Sequence, residues 1–320
     1  MTALDTPDVS VIVPARNEAS RIGVALASVR ASEAIRIEVI VVDDGSTDAT
    51  VDVVTALGDT RIRILSTTDG ARGVSPARNL GIAAARGRWI AFLDADDAWG
   101  SGRLDAILEA ADRHAADFVA DDVLIESTDP GTGRVSSVST LLIDRGLSAP
   151  TDGHPLSLDH FVRHDLGIIK PVIARSLIVD HDLRFDGYVT GDFAFWFRCI
   201  RVARRPVMLG RPTYRYRRDA GRVTLSGPTR AFWVGAAHTT VELLGDPGLP
   251  RRVVALLEHR ARVEWRRSAY LAFKEDLRAR RLGSALARAI RLPSILVVPL
   301  DGARVRARRR RSNRHRHIAA

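Results

Sequence analysis

The sequence has too little cysteine to build disulfides or cysteine zinc sites. Its 320 residues include one cysteine, Cys199, so the chain cannot form an intramolecular disulfide or by itself supply a cysteine zinc site. We expect Cys199 in the core, where free cysteine is usually found. None of the nine histidines belongs to the His-Glu-x-x-His motif of a zinc protease. These absences fit a reducing compartment.

Long hydrophobic runs are also missing. Residues 1–8 lack the charged-then-apolar pattern of a signal peptide, and Pro14 interrupts the first strongly apolar run. The apolar stretch near the end, Ile295 to Leu300, is far shorter than the roughly 20 residues that cross a bilayer. We therefore predict no transmembrane helix and a cytoplasmic protein, either free or peripheral on the inner face of the membrane.

Two glycine-rich nucleotide motifs are absent as well. Dehydrogenase chemistry predicts Gly-x-Gly-x-x-Gly after the first strand, and this chain has Pro14-Ala-Arg-Asn-Glu18 there. A P-loop is also absent. The sequence therefore excludes the usual dehydrogenase and P-loop fingerprints.

The charge that is present is unevenly placed. The formal net charge is +10, but residues 251–320 hold 20 Lys and Arg against 5 Asp and Glu, so the rest of the chain is mildly acidic. Such a basic end can meet anionic lipid headgroups or nucleic acid. A membrane surface is the hypothesis that we favour, because apolar residues lie among the arginines. These are Trp265, Tyr270, Leu271 and Phe273.

Short apolar runs alternate with segments of helical periodicity in the first hundred residues. This alternation predicts a mostly parallel α/β sheet with helices on both faces. The predicted strands are Val9–Val13, Val39–Val42, Ile62–Leu65 and Trp89–Leu93, and the predicted helices are Glu18–Arg30 with Asn17 as its cap, Ala49–Leu57 and Pro76–Ala85.

Polar residues follow three of these strands, where a parallel sheet binds ligands. They occupy residues 14–16, 43–46 and 94–97. Further along, we predict a strand at Phe118–Ile125, a mobile loop or lid at Ser127–Gly153 and a helix at Asp192–Val202. Short strands follow at Val207–Leu209 and Thr213–Arg217, with helices from Thr229 onward.

The most specific local signal is Phe92-Leu-Asp-Ala-Asp-Asp97. In extended backbone, residues two apart face the same side, so Asp94 and Asp96 are expected to converge on one point. A pair of hard oxygen ligands with open positions suits Mn²⁺ or Mg²⁺ shared with a diphosphate. An ordinary acidic turn is the alternative interpretation.

Four ordered motifs together resemble the amino-terminal half of family 2 glycosyltransferases. They are Ser10-Val-Ile-Val-Pro-Ala-Arg-Asn-Glu18, Glu38-Val-Ile-Val-Val-Asp-Asp-Gly-Ser-Thr-Asp48, Ala77-Arg-Asn-Leu-Gly81 and Gly87-Arg-Trp-Ile-Ala-Phe-Leu-Asp-Ala-Asp-Asp97. The resemblance covers roughly residues 9–97. It implies a GT-A type fold, a nucleotide-diphospho-sugar donor, a divalent metal and a saccharide or lipid-linked acceptor, as in cell-surface polysaccharide synthesis.

The resemblance also implies roles for particular positions. The expected donor-binding residues in the first loop are Pro14, Ala15, Arg16 and Glu18, and those at the nucleobase are Asp43 and Asp44. Arg78 is expected near the nucleotide. The ribose and the metal-diphosphate are expected to meet Asp94, Ala95 and Asp96, of which Asp94 and Asp96 are the expected metal ligands. On residue chemistry alone, Asp43 and Asp44 also fit an ordinary turn, and Arg78 fits a solvated helix residue.

The second half contains Phe185-Asp-Gly-Tyr-Val-Thr-Gly-Asp-Phe-Ala-Phe-Trp-Phe-Arg198. This resembles the family segment in which an acidic pair begins an aromatic-rich helix and its second member is the catalytic base. Asp192 has that second position, so the resemblance implies an inverting base there. The first member is commonly Glu and here is Gly191, and Asp192 also fits a simple helix cap.

Two arginines complete the expected site. Tyr214-Arg-Tyr-Arg-Arg218, with Thr224 and Ser226, resembles the family's aromatic-basic strand and loop near the donor phosphates. Arg215 and Arg217 are therefore expected to bind the donor, because a guanidinium pairs well with phosphate. A solvated sheet face is the alternative.

The sequence indicates four regions and leaves two other functions open. We predict a nucleotide-sugar half at 1–125, an acceptor and catalytic-base half of the same domain at 126–226, a helical extension at 227–303 and a basic, disordered tail at 304–320. A sugar nucleotidyltransferase would need a glycine-rich basic loop after the first strand. A nucleic-acid-binding protein or non-catalytic scaffold would act through the basic end instead, although we do not expect nucleic acid as a partner.

Overall fold

The computed structural model describes residues 6–29, 34–68, 73–129, 131–148, 150–186, 191–219 and 229–292. These residues belong to two compact units. The first comprises residues 1–187 and 191–222, and the second comprises residues 188–190 and 223–320.

The first unit begins with the predicted alternation of strands and helices. Strands β1 to β4 are parallel neighbours in the order β3-β2-β1-β4. The apolar runs of β1, β2 and β4 are buried, as expected for strands in the middle of a sheet, whereas the edge strand β3 is mostly half-buried. The elements are β1 Val9–Ala15, α1 Ile22–Ser28, β2 Ile37–Asp43, α2 Thr50–Ala56, β3 Ile62–Ser66, α3 Val74–Ala84 and β4 Trp89–Phe92.

The position of α3 depends on a glycine. A Cβ atom at Gly81 would lie 2.4 Å from Cγ2 of Ile12 in β1, so only glycine lets this helix lie so close to the strand. Arg78 is one turn earlier in the same helix. The close approach therefore helps to fix the guanidinium that is central to the candidate site.

The sheet continues beyond β4 with strands from later in the chain. Its remaining order is β9-β6-β10-β5, with β7 paired to β6 and β8 paired to β10; β6 and β10 are parallel, and the other pairings are antiparallel. The elements are β5 Ala98–Trp99, α4 Arg103–His114, β6 Phe118–Thr128, β7 Val135–Thr140, α5 Leu141–Asp144, β8 His154–Pro155, α6 Leu158–Arg163, β9 Val172–Ala174, α7 Arg175–Asp180, α8 Gly191–Val202 and β10 Pro206–Asp219.

Three local predictions were wrong. The segment 127–153, predicted as a loop, contains the end of β6, all of β7 and the short helix α5, because its Ser and Thr residues pair along β6. The two short strands predicted at 207–217 are one strand, β10, whose register shifts on both sides of Pro212. Asn17 does not cap α1, because that helix begins at Ile22 with Arg21 as its cap.

The second unit is helical, as predicted. It contains α9 Arg230–Leu244, α10 Arg251–Arg278 and α11 Leu282–Arg291. Within it, the Thr240 hydroxyl of α9 donates to the buried Glu264 carboxylate of α10 at 2.7 Å. No helix among the described residues combines the length and apolar character needed to cross a bilayer. The tail predicted at 304–320 lies outside the described residues.

The predicted division of the first unit remains a prediction. Its boundary, 125/126, falls inside β6, so one sheet contains strands from both proposed halves. The boundary at 226/227 lies outside the described residues.

Candidate active site

Two buried cations and two carboxylates form the centre of the candidate site. Arg78 donates to Oδ1 of Asp192 through one terminal nitrogen and to Oδ1 of Asp94 through the other, the second bond being 2.8 Å long. The Lys170 ammonium donates to Oδ2 of Asp192 and lies 3.0 Å from Oδ2 of Asp94. Each carboxylate therefore contacts both cations. We call these four residues the ion cluster.

The charges of the ion cluster stabilise one another. Burial alone would raise the pKa of Asp94, but the charges of Lys170 and Arg78 outweigh it and hold that pKa well below its usual range. Burial would likewise lower the pKa of Arg78 and of Lys170, and the carboxylates of Asp192 and Asp94 instead raise both. All three groups are therefore charged at neutral pH.

The cluster joins four parts of the first unit. Arg78 comes from α3, Asp94 follows β4, Lys170 precedes β9 and Asp192 lies in the first turn of α8. The interpretation of Arg78 as a solvated helix residue is wrong, because its side chain is 4% exposed. Asp192 is bonded to both cations, and its side chain is 25% exposed, so it can still be reached from solvent.

Gly191, where the family commonly has Glu, has a structural reason. A Cβ atom at this position would lie 3.1 Å from the Ser75 hydroxyl in α3 and 3.2 Å from the Asp186 carbonyl oxygen. Glycine therefore lets the start of α8 approach the start of α3 closely. This approach brings Asp192 next to Arg78.

The segment before α8 is fixed by Asn79, the neighbour of Arg78. Its side-chain amide donates to the carbonyl of Phe185 at 2.8 Å, and its oxygen accepts from the Phe185 N–H at 2.9 Å. The Phe185 ring lies 5.1 Å from the guanidinium carbon of Arg78. One aromatic residue thus packs against the cation while its backbone is held by the adjacent side chain.

Asp94 and Asp96 lie in a turn and not in extended backbone. β4 ends at Phe92, and the Asp97 N–H donates to the Asp94 carbonyl at 3.0 Å, so the extended backbone expected for Asp94 and Asp96 was wrong. Ala95 is buried, whereas Asp96 is partly exposed in the middle of the turn.

The carboxyl group of Asp97 anchors that turn to β10. It accepts from the Tyr214 hydroxyl at 2.7 Å and from the Arg217 N–H at 3.0 Å, and the Tyr214 oxygen accepts from the Asp94 N–H at 3.2 Å. Burial raises the pKa of Asp97 well above its usual range, and the charges of Asp94 and Asp96 raise it further. The acidic turn is thus held by a strand more than a hundred residues away in sequence.

Asp44 connects the end of β2 to the start of α3. Its carboxylate accepts from the Thr67 hydroxyl at 2.9 Å and from the Gly73 N–H at 2.8 Å, where Gly73 is the N-cap of α3. Arg16, whose side chain is 55% exposed, lies 3.9 Å from it. Asp43 accepts from the Ser46 N–H, as the turn interpretation expected.

The loops at the ends of β1 and β2, residues 14–18 and 43–50, are joined by hydrogen bonds, and we call them the strand-end loops. The Asn17 side chain accepts from the Thr47 N–H at 2.7 Å, and the Glu18 N–H donates to the Thr50 hydroxyl at 2.8 Å. The Ala15 carbonyl accepts from the Asp44 N–H at 2.8 Å, next to the partly exposed Pro14. The buried Glu18 carboxylate pairs with Arg21.

Arg215 and Arg217 share one acidic partner on the neighbouring strand. The buried Glu126 of β6 accepts from Arg215 at 2.9 Å and lies 3.7 Å from Nε of Arg217. Neither arginine belongs to the ion cluster. Thr224 and Ser226, predicted beside them, lie outside the described residues.

The acidic turn has the chemistry of a shared hard-metal site. Among the residues that the structure describes, no group of three or more His, Cys, Asp and Glu is arranged to hold a metal by itself. Each Asp94 oxygen contacts a cation, and Asp96, two residues later in the same turn, is partly exposed. Such a donor set fits Mn²⁺ or Mg²⁺ completed by phosphate oxygens and water.

Lys170 and Glu126 were not predicted from the sequence as parts of the site, and Tyr214 was placed in a motif near the donor without a role of its own. Lys170 had a usable signal, because it is a lone lysine in the apolar run from Gly167 to Ala174, and a buried ammonium requires an acidic partner.

Comparison with known families supports the resemblance drawn from the motifs. The family model described as glycosyl transferase family 2 matches residues 10–158. That range includes both strand-end loops, Arg78 and the acidic turn, and it ends before Lys170 and Asp192.

Several curated proteins are similar to this chain. The succinoglycan biosynthesis protein ExoO of Rhizobium meliloti (strain 1021) is 39% identical over 182 residues, which is 56% of this chain and 51% of ExoO. The uncharacterized glycosyltransferase EpsJ of Bacillus subtilis (strain 168) is 31% identical over 226 residues, 68% of this chain and 63% of EpsJ. The chain thus spans about half the length of ExoO and somewhat less than two thirds of EpsJ.

Solved structures share the fold. S. aureus TarS 1–349 in complex with UDP-GlcNAc is 19% identical with a TM-score of 0.63, covering 83% of this chain and 81% of that one. The mannosyltransferase PcManGT from Pyrobaculum calidifontis, in complex with GDP-Man and Mn²⁺, is 17% identical with a TM-score of 0.56, covering 96% and 86%. The predicted GT-A type α/β fold is confirmed.

Proposed function

Since residues 10–158 of this chain match the family model described as glycosyl transferase family 2, we propose that it transfers a sugar from a nucleotide-diphospho-sugar to an acceptor hydroxyl. The observation that carries this proposal is the ion cluster. It places a reachable carboxylate, Asp192, beside two buried cations and directly next to the acidic turn.

Asp192 is the proposed catalytic base. It takes the proton from the acceptor hydroxyl as that oxygen attacks the anomeric carbon. A new carbon–oxygen bond forms on one face of the sugar, and the bond to the diphosphate oxygen breaks on the other face, with its electron pair leaving on the nucleoside diphosphate. One base acting in this way gives inversion at the anomeric carbon.

Arg78 and Lys170 are the proposed charge stabilisers of the departing diphosphate. Both are nearly excluded from water, with side-chain exposures of 4% and 6%. Coulomb interactions are stronger away from water, so their positive charge opposes the negative charge that develops on the leaving group. The same two groups orient the Asp192 carboxylate through hydrogen bonds.

We place the metal contact at the acidic turn. Asp96 would be its principal protein ligand and Asp94 its neighbour, with Mn²⁺ or Mg²⁺ completing its shell from the donor diphosphate. Such an ion supplies Lewis-acid charge against the leaving group.

The strand-end loops are proposed to hold the nucleoside. Asp44 and Asp43 would contact the nucleobase, and residues 14–16 with Glu18 would border the nucleobase, since hydrogen bonds join the two loops into one surface. Ala95 would pack near the ribose. Arg215 and Arg217 remain predicted donor contacts. Their pairing with Glu126 weakens this prediction, because their charge is already partly neutralised.

The acceptor is proposed to be a saccharide carried on a lipid diphosphate. This proposal draws on the relatives WfgD and WfaP of Escherichia coli, named as UDP-Glc:α-D-GlcNAc-diphosphoundecaprenol β-1,3-glucosyltransferases, which are 39% identical over 97 residues and 33% identical over 129 residues. ExoO adds polysaccharide biosynthesis as the setting. We also propose an anionic membrane surface as a partner of the basic C-terminal helices.

A binding panel tests the proposed function. We expect one or a few sugar nucleotides to raise the melting temperature of the full chain in the presence of Mn²⁺, because ligands that bind only the folded state stabilise it. Free sugars and nucleoside monophosphates are the matched controls. If no sugar nucleotide shifts the melting temperature and calorimetry detects no binding, the proposed function is wrong.

The Asp96→Asn variant tests the metal contact. We expect it to lose about tenfold or more of its Mn²⁺-assisted affinity for the donor, because the amide cannot replace a charged ligand. The measurement is calorimetric titration of the donor with Mn²⁺ and with EDTA. An exposed carboxylate away from the site, changed as Asp182→Asn, should leave both titrations as in the wild type. Equal metal dependence in Asp96→Asn and the wild type would contradict this assignment.

A further inference from the structure

Helix α11 is fixed through its polar side. The buried Asp276 carboxylate, near the end of α10, accepts from Nε of Arg281 at 2.9 Å, from the Ser284 hydroxyl at 2.9 Å and from Nε of Arg288 at 2.7 Å. The hydrogen bonds from Arg288 and Arg281 lower the pKa of Asp276 to about 2. One carboxylate therefore sets which side of α11 faces the rest of the second unit.

This attachment turns the apolar side of α11 outward. Leu282, Leu286 and Ile290 follow one another at four-residue spacing, so they lie on one side of the helix. They are 66%, 62% and 68% exposed, while the small Ala285 is buried. A surface helix normally has the opposite arrangement. We call these three residues the apolar stripe.

The sequence on both sides of the apolar stripe is basic. Arg278 and Arg280 precede α11, Arg291 ends it, and all three side chains are exposed. In the sequence that follows, residues 293–320 contain eight Arg and one Asp. An outward apolar stripe bordered by positive charge matches the boundary of an anionic bilayer, where aliphatic side chains enter the acyl region and arginines meet the headgroups.

We propose that α11 is the membrane-docking element of this chain and that its apolar stripe inserts into the surface of an anionic bilayer. The helix lies along the membrane, because its ten residues are too few to cross it. The inference gives the membrane partner proposed above a definite surface. The residues of α10 that the sequence predicted for this contact offer less apolar surface, because Tyr270, Leu271 and Phe273 are half-buried and Trp265 is 41% exposed.

Charge and apolar character together favour a bilayer over other occupants. A second copy of this chain would bring the same positive charge to the stripe and be repelled. Nucleic acid would satisfy the arginines but offers no aliphatic phase for three large side chains. An anionic bilayer satisfies both features at once.

Vesicle flotation of the full chain, without donor or acceptor, tests this inference separately from the transfer activity. The probes are phosphatidylcholine vesicles with and without phosphatidylglycerol. We expect the wild type to float with the anionic vesicles only. The variant Leu282→Ser/Leu286→Ser/Ile290→Ser should bind them at least about tenfold more weakly, because three apolar side chains no longer leave water.

The matched control changes three aliphatic residues of the first unit with comparable exposure. Val24→Ser/Val138→Ser/Val179→Ser alters side chains that are 48%, 55% and 52% exposed, and it should float as the wild type does. Equal flotation of the stripe variant and the wild type would overturn the proposal. Two other results would also overturn it, because each would show that the stripe is covered by protein. One is a wild type that does not float and is a dimer by sedimentation. The other is a stripe variant that melts at a lower temperature than the control variant, while neither variant binds vesicles.

Discussion

The Asp192→Asn variant should lose about a thousandfold in kcat for sugar transfer while still binding the donor. Asparagine has nearly the same shape as aspartate but cannot accept the proton of the acceptor hydroxyl. In the wild type, the carboxylate is oriented by Arg78 and Lys170 and remains 25% exposed, so it is both fixed and reachable. Steady-state rates with saturating donor and acceptor measure the loss.

Donor affinity separates lost chemistry from a disrupted site. The asparagine amide must place its NH₂ group against one of the two cations, so some rearrangement of the ion cluster is expected. We predict that the donor Kd changes by less than about threefold, because the proposed nucleoside contacts lie in the strand-end loops. A variant that transfers sugar at the wild-type rate would show that Asp192 is not the base. A loss of transfer that exactly follows a loss of donor binding would point to a structural role instead.

The Arg103→Met variant should lower the free energy of unfolding by about 3–5 kcal/mol. Arg103 and Asp121 form an ion pair in which both side chains are 0% exposed, with N–O distances of 2.7 and 3.0 Å. The same guanidinium donates to the Lys170 carbonyl and packs against the rings of Trp99 and Tyr214, 4.7 and 5.3 Å from their centroids. Methionine fills the volume but leaves the Asp121 charge buried, with its remaining bond from Thr213.

Two further variants make this stability prediction specific. Arg113→Met, on the same helix, removes an arginine that is 47% exposed and paired with Glu109, so we expect a change below about 0.5 kcal/mol. Arg103→Met/Asp121→Leu removes both charges and should recover much of the loss. Urea unfolding of the three variants measures these differences. A loss below about 1 kcal/mol for Arg103→Met would show that the buried pair is not a stabilising feature of this core.

The first half of the fold could be predicted from the sequence because its signals are local. β1, β2 and β4 are runs of Val, Ile and other apolar residues that are buried along their length, so composition alone distinguishes them from amphipathic elements. The polar residues that end these strands belong to one edge of a parallel sheet, where a ligand is expected. The roles predicted for the acidic turn and Asp44 came from the resemblance to family 2 glycosyltransferases.

Other features depended on contacts between distant residues. β7 lacks the apolar alternation that reveals a strand in sequence, because its residues are mostly exposed. It forms a strand through its pairing with β6. The sequence predicted two short strands at 207–209 and 213–217, but shifts in register around Pro212 keep them one strand, β10. Lys170 is 76 residues from Asp94 and 22 from Asp192 in sequence, so its place in the ion cluster follows only from the packing of β9 beside β4.

The orientation of α11 shows the same limit. Its sequence is amphipathic, and such a helix is ordinarily expected to bury its apolar side. Asp276 reverses this outcome by holding Arg281 and Arg288. A helix pattern alone does not reveal which side faces the protein.

A crystal structure of the chain with its preferred sugar nucleotide and Mn²⁺ would test the central claim most directly. We expect the diphosphate to lie within hydrogen-bonding distance of Arg78 or Lys170 and next to Asp96. The space between the anomeric carbon and the Asp192 carboxylate should be just large enough for one acceptor hydroxyl. A sugar nucleotide bound away from the ion cluster, or with Asp192 on the same side of the anomeric carbon as the diphosphate, would contradict that claim.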